Sequence, residues 1–168
     1  MGLLTVPPMG FQPATDPNNL KSIRVSLSYI GANRLFNEGI ILNVAISPDM
    51  LSLSTMEIEG KEVPQPIPCK ALVDTGASGL AIDKTIAQKL GLKRNSITEN
   101  LTANGSRLAP VYLVSLNFPA TNLKSYDMLR ATEVDLSKQP FQCLIGREIM
   151  ANWHLHYNGQ TGQVSISD

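Results

Sequence analysis

An excess of charge of either sign is the first thing missing from this chain. Fourteen Lys and Arg residues face fourteen Asp and Glu residues, so no field draws the protein onto nucleic acid or anionic lipid. Aromatic residues make up only 5% of the chain, which leaves little for a base-stacking surface. The longest apolar run, residues 39–46, is broken by Asn43 and is far too short to span a membrane. Residues 1–10 hold no basic residue and no apolar stretch of signal length, and the expected compartment is the cytosol. Cys69 and Cys143 are the only cysteines; two do not make a disulfide framework, and in a reducing compartment both are expected as thiols. His154 and His156 are the only histidines. They leave no Ser-His or Cys-His nucleophile set, and their alternation with Trp153 and Leu155 reads as the wet side of a strand rather than a metal site. Residues 159–162 lack the Lys and following helix of a phosphate loop. No metal and no cofactor is expected.

What is present suits one globular domain. The 168 residues are 43% hydrophobic and 17% charged, enough to bury a real core. Residues 1–20 carry Pro7, Pro8, Pro13 and Pro17 among Gly, Asn and Thr, and are read as an N-terminal arm ahead of a domain over residues 21–168. The arm is either a loose terminus or a strap across a partner.

The domain reads as mostly β. Ile23, Val25, Leu27 and Tyr29 alternate with polar residues, and residues 39–47 form a second, more apolar strand. Pro48-Asp49 turns the chain, and residues 51–59 with Gly60-Lys61 read as a further strand and reversal. Pro64, Pro66 and Pro68 are expected to keep the next segment extended and out of a central ladder. Asp83 is a suitable N-cap for a helix over residues 84–90, with Gly91 just past its end. Residues 97–103, Asn104-Gly105 and residues 107–118 predict a long hairpin, since Asn-Gly suits a type I′ turn. Residues 128–136 and 141–145 are expected as strands, residues 147–152 as a brief helix, and residues 153–157 and 163–167 as a closing pair. A closed β-barrel with two short helices is the expected architecture.

Two motifs carry chemistry. In Ala71-Leu72-Val73-Asp74-Thr75-Gly76-Ala77-Ser78 an apolar strand delivers a carboxylate into a turn of small residues, with no Lys or Arg following it for several positions to neutralise it. Near the C-terminus stands Cys143-Leu144-Ile145-Gly146-Arg147-Glu148-Ile149-Met150. In this order, with room for a hairpin between them, the two resemble the active-site loop and the closing segment of the retropepsin-like aspartic proteases. The longer lead before Asp74 and the later segments resemble the family's bacterial branch.

That resemblance implies an aspartic endopeptidase. Asp74, Thr75 and Gly76 would be the catalytic triplet, Ala77 and Ser78 would line the cleft, and Gly146, counted with the substrate-binding residues, would close on the active-site strand. The hairpin would be a flap, with Ala103, Asn104, Gly105 and Ser106 near its tip, folding over an extended peptide bound by strand addition. Thr75 would interlock with its symmetry mate, and Gly76 would offer its carbonyl to the substrate backbone. The chemistry needs two carboxylates around one water, and this chain has a single Asp-Thr-Gly. The second must come from another copy, so the partners implied are a peptide substrate and a homodimer mate. A non-catalytic peptide-binding or dimerisation module of the same fold is the alternative. One departure stands out. Where many viral members carry an Asp that pairs with the Arg after the Gly, this chain has Ser78, so Arg147 must find Glu148 or another residue.

Overall fold

Alternation along the strands sets the architecture. The computed structural model describes residues 25–29, 31–102, 105–119 and 121–168. In chain order these form β1 (Val25–Tyr29), α1 (Ala32–Glu38), β2 (Ile41–Pro48), α2 (Met50–Ile58), β3 (Ile67–Val73), β4 (Leu80–Asp83) and α3 (Lys84–Lys89). There follow β5 (Ser96–Thr102), β6 (Gly105–Asn117), β7 (Tyr126–Val134), β8 (Cys143–Ile145), α4 (Arg147–Met150), β9 (His154–Asn158) and β10 (Gln163–Ser167). Leu42, Val44 and Ile46 of β2 point inward together, as period-two strands require. The expected arm at residues 1–20 lies outside the described residues.

Seven strands form one sheet in the order β2-β3-β8-β4-β7-β6-β5, and β2 pairs a second time, with β6. The pairings of β3 with β8 and of β4 with β7 are parallel; the others are antiparallel. A separate three-stranded sheet runs β1-β10-β9. Val44, Ile46, Val114, Leu116, Ile145 and Ile149 are fully buried in the shared core. At its rim Phe118 packs edge-on against Trp153, ring centres 5.8 Å apart, a favoured aromatic geometry. No helix among the described residues is long and apolar enough to cross a membrane.

The mostly β reading holds, and the helix count does not. Four helices are present among the described residues, where two were expected. Residues 51–59, expected as a strand, belong largely to α2. Its cap explains the difference: Asp49 accepts the Ser52 N–H at 3.1 Å and the Ser52 hydroxyl at 2.5 Å. A satisfied N-cap outweighed a Leu51/Leu53 alternation that had no sheet face to fill, and no residue of α2 is buried. Helix α1, not expected at all, is bracketed by Gly31 and Gly39 at φ of 80° and 71° and buries only Leu35.

The other elements follow the reading closely, except that Pro68, expected outside a central ladder, lies in β3 opposite Ala45; β8 reaches only Ala71–Val73, so the proline sits where β3 has β2 as its one paired strand. Asp83 caps α3 through the Thr85 N–H, and Gly91 takes a φ of 59° just beyond it. β5 and β6 pair from Ser96↔Val111 to Thr102↔Gly105 as the predicted hairpin, whose connecting residues Ala103 and Asn104 lie outside the described residues. Cys69 and Cys143 are both free thiols. Burial pushes the Cys69 thiol up to about 11 and Cys143 up as well, so neither is poised to react. His154 and His156 are exposed on β9.

Candidate active site

β3 ends at the candidate carboxylate. Ala71, Leu72 and Val73 lie between two neighbours: β2, with Ile41 opposite Leu72, and β8, with Ala71, Leu72 and Val73 opposite Cys143, Leu144 and Ile145. Such a strand, paired on both sides, suits a short apolar run. The Asp74 N–H makes the last bond of this ladder, to the Ile145 carbonyl at 2.9 Å. The chain then leaves the sheet. The Ala77 N–H returns to the Asp74 carbonyl at 3.2 Å, and the Asp74 Oδ1 accepts the Gly76 N–H at 2.8 Å. This is an Asx-type turn in which the carboxylate orients itself on its own loop. A Cβ on Gly76 would stand 3.0 Å from that same Oδ1, so any larger residue here would have to push the carboxylate aside. Asp74 and Ala77 are half-buried, while Thr75, Gly76 and Ser78 are exposed.

The second motif closes beneath this turn. A Cβ on Gly146 would lie 2.4 Å from the Gly79 carbonyl oxygen, 2.7 Å from its nitrogen and 2.9 Å from the Ala77 oxygen. Those neighbours are all backbone, so only glycine fits. Its φ of −90° is open to any residue; the close approach alone demands glycine. Helix α4 starts at once, and the first two of its unpaired N–H groups are used by the loop. The Arg147 N–H donates to the Ala77 carbonyl and the Glu148 N–H to the Ser78 carbonyl, both at 3.0 Å. The Glu148 Oε1 accepts the Leu80 N–H at 2.8 Å. Arg147 Nη1 donates to the Thr75 carbonyl at 2.6 Å and to the Gly76 carbonyl at 3.2 Å.

Asp74 through Ser78 and Gly146 are therefore brought together. The partner of Arg147 is neither Glu148 nor another acid but two backbone carbonyls of the candidate loop. Glu148 instead holds the far end of that loop, beside Gly79. Neither contact had a side-chain signature in the sequence; the only hint was Ser78 standing where an acidic partner was expected. Gly105 and Ser106 of the hairpin are not gathered with the loop. They line a cavity of about 560 Å3 with Arg107, Leu108, Glu133 and Asp135, a cavity that includes none of residues 74–78. Ser106 hydrogen-bonds Glu99 across the hairpin. Among the described residues no group of three or more His, Cys, Asp or Glu side chains could hold a metal ion.

The chain resembles known proteins over this same frame. A family model described as aspartyl protease matches residues 54–149, more than half of the chain and both motifs. A retropepsin-like aspartic protease from Rickettsia conorii superposes with a TM-score of 0.50 at 21% identity, covering 87% of this chain and 93% of that one. That likeness shows a retropepsin-like fold. The retroviral protease-like domain of Ddi1 from Leishmania major matches at a TM-score of 0.37 and 13% identity, over 70% of this chain and 81% of that one. No curated protein matches the chain.

Proposed function

The chain belongs to the aspartyl protease family, and from that premise we propose that it is an aspartic endopeptidase whose catalytic pair is Asp74 from each of two copies. The observation that carries this reading is the Asp74 carboxylate, held by the Gly76 N–H on a turn whose neighbours Thr75 and Gly76 are exposed. A lone carboxylate so placed is half of a two-carboxylate site.

In the paired site two Asp74 carboxyls about 3 Å apart share one proton, because like charges that close do not both ionise. The ionised member takes a proton from the water lying between them as the water oxygen attacks the scissile carbonyl carbon. The protonated member donates its proton to the carbonyl oxygen. The tetrahedral diol then collapses: one hydroxyl gives its proton to the member now ionised as C=O re-forms and the C–N bond breaks, and the other member gives the proton it took from water to the leaving amide nitrogen.

The remaining candidates have supporting parts. Thr75 interlocks with its mate beneath the pair, and Gly76, Ala77 and Ser78 line the floor on which an extended peptide lies. Gly146 keeps the loop in register by close packing. Ala103, Asn104, Gly105 and Ser106 belong to the flap that closes over the peptide. The two free thiols suit a reducing compartment, and we assign the protein to the cytosol.

The test is cleavage of a diverse peptide library across acidic to neutral pH, wild type beside Asp74→Asn. Cleavage by wild type alone supports the peptidase reading and yields its sequence preference. Silence from both, with a monomeric mass at every concentration, would turn the assignment to a non-catalytic binding module.

A further inference from the structure

Helix α1 sits beside the half-site. The Val73 N–H, next to Asp74, donates to the Ile40 carbonyl at 2.9 Å, and Ile41 faces Leu72 across the β2–β3 ladder. Only Gly39 and Ile40 separate α1 from this point. Gly39 swings the chain out of the helix at a φ of 71°, close enough to β3 that a Cβ there would stand 3.0 Å from Leu72 Cδ1. The C-terminal end of α1 is thus tied to the strand end that presents the candidate carboxylate.

The helix is seated firmly and faces outward. Leu35 is its one buried residue, 1% exposed. The turn between β9 and β10 clamps its start, where a Cβ on Gly162 would lie 2.1 Å from the Gly31 carbonyl carbon. Asn33, Arg34, Phe36, Asn37 and Glu38 are all exposed. Phe36 is 86% exposed, so folding one chain gains almost nothing from its ring. The Arg34–Glu38 ion pair, at 2.9 Å, lies on the other side of the helix, since both residues are two positions from Phe36.

We propose that α1, with Phe36 as its apolar anchor, is part of the surface on which the second copy of this chain seats. The proposal rests on the homodimer reading above and specifies where the two copies touch. A single exposed apolar side chain is ordinary on a protein surface; its position makes this one different. A stable two-fold contact buries about 800 Å2 on each partner, a patch roughly 30 Å across. The axis must pass between the two Asp74 carboxyls, so a helix joined by two residues to the neighbouring strand end falls within that patch. Aromatic residues concentrate at the centres of such contacts, with charged pairs at the rim. β1 pairs with β10 inside one chain, so the contact does not require those strands to be exchanged between copies.

Sedimentation across a wide concentration range tests this on wild type, Phe36→Glu, Phe36→Ser and Ile58→Glu. Ile58 is 87% exposed but lies on α2, which follows the opposite end of β2, and serves as the control. Both Phe36 variants are expected to weaken dimerisation by about tenfold or more, with the monomer's melting temperature unchanged and Ile58→Glu neutral. Peptide cleavage by these variants should fall at low protein concentration and return at high concentration. A wild-type dimer indifferent to both Phe36 variants overturns the proposal and leaves the homodimer reading standing. A wild type that is monomeric at every concentration removes both. Phe36 variants that lower the monomer's melting temperature while leaving the dimer intact would mean that the segment ahead of Val25 covers the ring within one chain, and the proposal fails.

Discussion

Arg147 and Thr75 meet across the candidate loop, guanidinium to backbone carbonyl at 2.6 Å, with the Gly76 carbonyl in reach of the same Nη1 at 3.2 Å. A planar guanidinium donor thus holds two consecutive peptide units of the loop. Hydrogen bonds to a charged group contribute about 1.5–3 kcal/mol when protected from water, but Arg147 is exposed, and solvent reduces that value. The contact matters for position more than for stability. It fixes the peptide planes that aim Asp74, and does so without the acidic partner that Ser78 replaces.

Removing the guanidinium should therefore act on cleavage before it acts on folding. For Arg147→Met we expect kcat to fall by about tenfold to a hundredfold, the scale on which small misplacements of reacting groups are felt. The melting temperature should change little. Arg147→Lys should recover part of kcat, since an ammonium can reach one carbonyl but does not offer the rigid fork. Steady-state kinetics on one peptide, beside thermal melts of the three proteins, would check this. A loss confined to KM would instead mean that Arg147 binds substrate.

Gly146→Ala should behave in the opposite way. Its new methyl group would enter the space of the Gly79 carbonyl and amide, at 2.4 and 2.7 Å. Loop backbone tied down by the Arg147 and Glu148 N–H groups, which donate to the Ala77 and Ser78 carbonyls, cannot step aside as a flexible side chain can. Overpacking of this kind typically costs about 1–3 kcal/mol and occasionally more, and here the unyielding neighbours argue for the upper end. Thermal or denaturant unfolding should show that loss directly, together with loss of cleavage because the loop is displaced.

Much of this arrangement was legible from the residues, and the gaps have physical causes. The strands flanking Asp74 could be read because residues 39–47 and residues 71–73 are almost continuously apolar, the pattern of strands buried among neighbours. Asp74 to Ser78 are adjacent in sequence, so their grouping needed no tertiary information. α2 was hidden because Leu51 and Leu53 mimic a strand and because the helix buries no residue that would impose a helical stripe; the true signal was Asp49 three residues before Ser52. α1 offered only Leu35 as a buried position, too little for any periodicity. The anchors of the loop were the least legible. Arg147 and Glu148 bind backbone groups of Thr75, Gly76 and Leu80, and since nearly every residue carries those groups, no residue type marks the partner.

The cap on α2 makes a prediction about local stability. With no buried residue, α2 depends on the Asp49 cap and on the Met50 N–H that donates to Asp127 Oδ1 at 3.0 Å. Asp49→Ala should cost about 1 kcal/mol at that helix. Amide exchange over residues 50–58 should speed up by several-fold, while β2 and β3 keep their protection. Exchange that rises equally throughout the sheet would show that α2 and the core open as one unit.

Acid stability offers a last prediction. Asp83 is 2% exposed. Burial alone would raise its pKa, but hydrogen bonds from the Thr85 hydroxyl and N–H and from the Leu136 N–H hold it below the ordinary value of 3.8. These bonds are 2.6, 2.9 and 2.7 Å long. A carboxyl with a folded pKa below its unfolded one contributes stability that is fully present above the unfolded value. That stability is lost as pH falls through the folded value. Asp127 is also lowered; burial opposes this, but bonds from the Ser115 hydroxyl and the Met50 and Met128 N–H groups prevail, so it adds to the same slope. The melting temperature should hold steady near neutrality and decline below about pH 4. Asp83→Asn should lower the neutral-pH melting temperature, because one amide nitrogen now faces an N–H donor, at a cost of about 1–2 kcal/mol. It should also flatten the acid decline, since the group no longer titrates. A variant whose acid decline is as steep as wild type would shift the origin of that slope to Asp127 and the surface carboxylates.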